Sequence, residues 1–220
     1  LGIEKKFLNY LNKKKIKKII SLDHLNLRNI NQALIINGIF FAKKKIFTKN
    51  KNIKILQGPQ YNTIEELSDK IEKVSSKKMK KKIFLSSGGS DRKNMIIKFL
   101  SFLNKFNNLQ IFVPIGPGFK ISQIKNFKKY ENVKFFSKVQ NSINLMSKCD
   151  FNIVSGGLSM FEGLVSRKPT FVVETYDNQK FAIKYFNKKG LIISLKQIRN
   201  PSFGILNNFL KNNQKLKMIK

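Results

Sequence analysis

The chain has 220 residues, 41% of them hydrophobic, enough to bury a large α/β core and to exclude a wholly disordered chain. Its formal charge of +32 rests on 44 basic residues, of which only Arg28, Arg92, Arg167 and Arg199 are arginines. Base-reading proteins lean on the arginine fork, so this Lys-dominated surplus, in a chain also crowded with Asn, Ile and Phe, reads as a compositional bias and no nucleic-acid partner is expected.

In chain order, residues 4–18 read as a polar, Lys-rich helix that begins without a Met, as if the sequence entered a fold partway. Apolar runs at Lys18–Leu22, Ala33–Ile36 and Ile53–Gln57 read as strands, and Gly58-Pro59 ends the last of them. His24, the single histidine, sits in Leu22-Asp23-His24-Leu25 and reads as a surface or turn residue; one histidine also leaves no His-rich metal site, and no metal-ligand cluster is visible. Thr63-Ile64-Glu65-Glu66 is a capping box that starts a helix near Ile64. The Lys/Ser-rich stretch Lys73–Lys82 marks a boundary. The expected organisation is a remnant of an N-terminal α/β domain over 1–57, a linker over 58–82, a second α/β domain over 83–200, and a C-terminal helix or tail over 201–220.

A regular βα series then follows. Strands are expected at Ile83–Ser86, Ile111–Ile115, Val133–Phe136, Phe151–Val154, Thr170–Val173 and Ile192-Ile193. Helices are expected over Met95–Phe106, Ser142–Lys148, Ser159–Ser166 and near Gln179–Lys188. Continuous apolar strands separated by helices of about ten residues argue for a parallel sheet covered on both faces. The fold class is therefore α/β, Rossmann-like, with ligands held at the carboxyl ends of the strands. Cys149 is the only cysteine, which excludes an internal disulfide and suits a reducing cytoplasm, and no run approaches the ~18–20 apolar residues of a membrane span. The positive charge attracts anionic substrates and allows peripheral contact with anionic membranes.

Two strand-to-helix loops carry the chemistry. In Ser86-Ser87-Gly88-Gly89-Ser90-Asp91, glycines let the backbone approach a ligand and the helix start offers N–H groups to an anion such as a diphosphate. The same loop also reads as a tight turn capped by Ser90 or Asp91. In Ser155-Gly156-Gly157-Leu158-Ser159-Met160-Phe161-Glu162 the architecture repeats. Here Glu162 either closes a capping box with Ser159 or accepts hydrogen bonds from ribose hydroxyls. Asn178 and Gln179 follow the next strand and either reach the same edge or cap a helix with Asp177. Both glycine loops should open on one rim and converge on one pyrophosphate.

The segment Val139–Gly190 resembles the C-terminal half of GT-B nucleotide-sugar enzymes, the family-28 glycosyltransferase C-terminal domain. It is most similar to the UDP-sugar hydrolases of pseudaminic acid biosynthesis. Asp23, Arg28 and Ala33–Asn37 resemble the end of that family's N-terminal domain, Ile55–Tyr61 its Leu-x-Gly-Pro-x-Tyr linker, and Ile83–Asp91 its first C-domain strand and loop. The resemblance makes 83–200 the nucleotide-sugar-binding domain of a cytoplasmic enzyme without a separate cofactor. It implies UDP contacts for Gly156, Gly157, Ser159 and Glu162, and a cleft lined by Gly88, Gly89, Ser90, Asn178 and Gln179. It also puts uracil beside Asn141 and Ser142. Leu158 stands where a small polar residue is usual, Phe161 where Trp is frequent and Ser142 where Met is frequent. The family's Gly-x-Gly-His element is absent, so the general base is expected upstream of Leu1, and these residues alone should bind a UDP-sugar weakly. The implied activity is hydrolysis of a UDP-diacetamido-trideoxyhexose to UDP and free sugar for nonulosonic acid synthesis. The alternative is hexosyl transfer from a UDP-sugar, and a lesser one is a basic module binding nucleic acid or lipid.

Overall fold

The computed structural model of the chain describes residues 5–14, 19–22, 33–38, 52–62, 64, 80–127, 129–137, 139 and 141–211. Asp23, His24, Arg28, the capping-box residues Thr63, Glu65 and Glu66, and the Lys-rich tail from 212 onward lie outside these residues. The chain divides into two compact units, Leu1–Thr63 and Ile64–Lys220.

The first unit contains helix α1 (Lys5–Lys13) and three parallel strands, β1 (Ile20–Leu22), β2 (Ala33–Asn37) and β3 (Ile53–Gln57), in spatial order β1-β2-β3. Along β2, Ala33, Ile35 and Asn37 are buried and alternate with half-buried Leu34 and Ile36, the period of a strand. β1 is an edge strand that buries Ser21 and exposes Ile20 and Leu22, the reverse of what its apolar content suggests.

The second unit is built on six parallel strands: β4 (Lys81–Ser86), β5 (Leu109–Ile115), β6 (Val133–Ser137), β7 (Phe151–Ser155), β8 (Thr170–Glu174) and β9 (Ile193–Gln197). Their order is β6-β5-β4-β7-β8-β9, the doubly wound order in which the third, second and first strands run one way and the fourth to sixth the other. The connecting helices are α2 (Met95–Leu103), α3 (Ile121–Phe127), α4 (Ser142–Ser147), α5 (Leu158–Val165) and α6 (Lys180–Lys188). The central strand β7 is buried at all five positions, which explains its continuous apolar reading with Asn152 as the exception. The Asn152 amide nitrogen donates to Ser166 Oγ at 3.0 Å, while its buried Oδ1 has no partner among the described residues. Helix α2 turns Met95, Ile96, Phe99, Leu100 and Leu103 inward, the helical stripe that covers one sheet face.

The segment after β9 belongs to this core. Helix α7 (Phe203–Lys211) stacks Phe203 on Phe102 at 4.4 Å between ring centroids, and Phe209 meets Phe151 and Phe171 at 5.0 Å each. Lys98 on α2 donates to the carbonyl of Ile198 at 2.8 Å. Leu206 is fully buried in α7. Leu206→Ala is expected to cost about 3 kcal/mol, the usual range for a core leucine, and to lower the midpoint of denaturant unfolding. A midpoint unchanged from wild type would show α7 to be a dispensable tail.

Candidate functional site

All six strands of the larger sheet are parallel, so their carboxyl ends share one edge. β4 and β7 are hydrogen-bonded neighbours, with Ser86 opposite Val154, although two other strands separate them in sequence. This is the switch point at which α/β sheets hold ligands. Both glycine loops leave the sheet here, side by side. The Ser155 hydroxyl donates to the Ser87 carbonyl at 3.3 Å and ties them together.

The first loop is shaped from below. Gly88 has φ of +89°, a left-handed backbone that favours glycine, and its N–H donates to Ser86 Oγ at 3.1 Å. Gly89 faces open space. Its carbonyl accepts from Gly118 N at 2.9 Å, and a side chain at Gly116 would meet the Gly89 backbone at 2.6 Å. The Gly116-Pro117-Gly118 turn after β5 therefore presses against the Gly88-Gly89 loop and sets its height, a role that strand-ending glycines do not announce in the sequence.

Of the two readings of this loop, the structure shows the turn capped by Asp91, and helix α2 does not offer its N-terminus to a ligand. The helix starts at Met95, and the buried Asp91 carboxylate accepts from Met95 N at 2.7 Å and Ile96 N at 2.9 Å. An internal carboxylate already occupies the positive end of the helix dipole. Burial raises the Asp91 carboxyl above its ordinary range, and the amides of Ile96 and Met95 partly offset this. A raised folded-state value makes Asp91's contribution to stability largest at low pH, and that contribution declines as pH rises from the ordinary carboxylate range through the raised value. Asp91→Ala leaves two buried N–H groups unpaired and is expected to cost about 2 kcal/mol at neutral pH, and to flatten this pH dependence in thermal melts. A variant as stable as wild type would contradict the capping role.

Helix α5 is the opposite case. Its N-cap is Gly157, with no side-chain cap, and the helix begins at Leu158. The capping box expected from Ser159 and Glu162 does not form, because Ser159 lies inside the first turn and is buried. Glu162 is left half-buried on the cleft wall. The two glycines have different work. A side chain at Gly156 would meet Ile183 at 2.6 Å, so this glycine lets α6 pack on the loop, whereas the nearest atom to one at Gly157 is Gln179 Nε2 at 3.8 Å. Gln179 Oε1 accepts from Thr175 N at 2.9 Å and from Thr175 Oγ1 at 3.0 Å, which spends the carbonyl on the turn after β8 and leaves the amide Nε2 as the donor near Gly157.

These loops enclose an open cleft of about 710 Å³, within the ~300–1,000 Å³ of small-molecule sites. Of the residues singled out in the sequence, the cleft brings together Gly88, Gly89, Ser142, Gly157, Leu158, Ser159, Glu162 and Gln179. Ser90, Asn141, Gly156 and Asn178 do not line it. Ser90 packs toward Gly118, Asn141 caps α4 by accepting from Asn144 N at 2.9 Å, Gly156 is covered by α6, and Asn178 is exposed in a 3-10 turn. Sequence reasoning missed Gly116, Pro117, Ser137, Val139, Thr175 and Tyr176, which reach the cleft from the ends of β5, β6 and β8. Spacing along the chain carries no signal for them; only strand adjacency does. No lysine or arginine lines the cleft among the described residues, despite the net charge of +32. The donors on offer are hydroxyls, loop amides and the uncapped start of α5.

Among the described residues no cluster of His, Cys, Asp or Glu could hold a metal ion, and no helix is long and apolar enough to cross a membrane. No protein-family profile matches the chain. It is 30% identical over 193 residues to the uncharacterized protein MJ1062 of Methanocaldococcus jannaschii, covering 81% of this chain and 39% of that protein. It is 24% identical over 202 residues to the spore coat polysaccharide biosynthesis protein SpsG of Bacillus subtilis, covering 89% of this chain and 60% of that one. The chain thus spans 39% and 60% of the length of these relatives. Among solved structures, MurG of Acinetobacter baumannii superposes with a TM-score of 0.66 at 12% identity, over 99% of this chain and 74% of that one. S. aureus MnaA in complex with UDP superposes with a TM-score of 0.56 at 10% identity, over 94% and 69%. The chain has a GT-B-type α/β fold.

Proposed function

We propose that the second unit binds the UDP moiety of a nucleotide sugar and that the protein transfers the sugar from it. The observation that carries this reading is the uncapped start of α5 opening on the cleft beside the Gly88-Gly89 loop, with Glu162 one turn further along. An uncapped helix start favours an anion through its free N–H groups and dipole. A half-buried carboxylate nearby suits the two hydroxyls of a ribose. In this reading Gly157, Leu158 and Ser159 meet the diphosphate, Glu162 meets the ribose, and Ser142 lies toward the base. Similarity in fold to a protein solved with UDP, and in sequence to one named for polysaccharide biosynthesis, supports the donor class.

Glycosyl transfer suits the fold neighbours described as glycosyltransferases. Hydrolysis of the same donor, the activity suggested by the Ile55–Tyr61 linker, differs only in what attacks the anomeric carbon: water in place of an acceptor hydroxyl. Incubating the full-length protein with UDP-sugars and no acceptor separates the two. Transfer predicts little UDP until an acceptor is added. Stoichiometric UDP and free sugar from the donor alone would instead establish hydrolysis.

A further inference from the structure

The cleft as described would hold a diphosphate without any cation, although the chain carries 44 basic residues. Among the described residues, one lysine lies over an aromatic ring of the cleft wall. Lys93 Nζ lies 5.8 Å from the ring centroid of Tyr176, and Tyr176 lines the cleft. Lys93 belongs to the loop after β4 and Tyr176 to the turn after β8, the two loops that flank, in sheet order, the loop leading from β7 into α5. The base of Lys93 is held firmly: Asp91 is locked onto α2, and Asn94 has φ of +53° with its side-chain oxygen accepting from Gln123 Nε2 at 3.1 Å. Its head is exposed, and no carboxylate pairs with it among the described residues.

From this geometry we infer that Lys93 is the phosphate-binding cation of the site, parked on the Tyr176 ring when the cleft is empty and transferred to the diphosphate when it is filled. The inference rests on the UDP reading above. An exposed cation–π contact is weak, whereas a charge-assisted contact to a phosphate oxygen is stronger, so the exchange runs toward the ligand. A four-carbon lysine stem has the reach and rotational freedom for it. Tyr176 then serves as a rest position that keeps the ammonium near the cleft mouth.

The test is calorimetric titration of the full-length protein with UDP and, separately, with uridine, which lacks both phosphates. K93M should weaken UDP binding roughly tenfold and leave uridine within about twofold of wild type, while K93R retains most of the UDP affinity. UDP binding by K93M should also depend less steeply on salt. An exposed side chain should leave the melting temperature unchanged, which is checked alongside. If wild type binds UDP and K93M binds it equally well, or loses uridine in proportion, Lys93 has no phosphate role. A wild type that ignores UDP overturns the donor reading and this role together.

Discussion

Gly157→Leu is expected to lower UDP affinity by at least about 100-fold, nearly 3 kcal/mol, while changing the melting temperature little. A Cβ at this position lies 3.8 Å from its nearest neighbour, Gln179 Nε2, so the backbone has room for it, and Gly157 lines the cleft at the start of α5. Its neighbour supplies the control. Gly156→Leu drives a side chain into Ile183, 2.6 Å from the first added carbon, and should destabilise the unit by several kcal/mol through overpacking. Calorimetric titration and thermal melts of both variants read the two effects separately. If Gly157→Leu retained UDP binding, the diphosphate would not sit at α5.

Glu162→Ala tests the other half of the grip. A carboxylate accepting from ribose hydroxyls contributes about 1.5–3 kcal/mol, roughly 10- to 100-fold in affinity. The loss should be smaller with 2′-deoxy-UDP, which already lacks one partner. The capping-box interpretation predicts something different, a loss of roughly 1 kcal/mol of stability with no preference between the two nucleotides. Because the N-cap of α5 is Gly157, with no side-chain cap, and Ser159 lies within its first turn, the affinity change is the expected result. A lower melting temperature with unchanged UDP affinity would restore the structural role and remove Glu162 from the site.

The two glycine loops were legible in the sequence because their signal is local. Each is a glycine pair between a continuous apolar run and a helical stripe, and the parallel order of the larger sheet then brings both to one edge. Contacts across the sheet were not legible. The cap of α2 by Asp91 is one of the two readings open for its loop, and which of them holds depends on where that helix begins, four residues past the acid. The exposure of Asn178 and the engagement of Gln179 follow from the 3-10 turn between β8 and α6, which composition does not reveal. Gly116 and Gly118 read as punctuation after β5, yet they support the Gly89 backbone from the neighbouring strand. The helix α3 was likewise missed, since Ile121–Phe127 buries only Phe127 among the residues of its span and has little apolar stripe.

The most direct test of a diphosphate at the switch point between β4 and β7 is an amide NMR titration of the full-length protein with UDP. The expected result is saturable shifts at Gly89, Gly157, Leu158 and Ser159, with a matching ³¹P shift of the nucleotide. Shifts scattered over the lysine-rich surface that vanish with added salt, with these four amides unmoved, would contradict it.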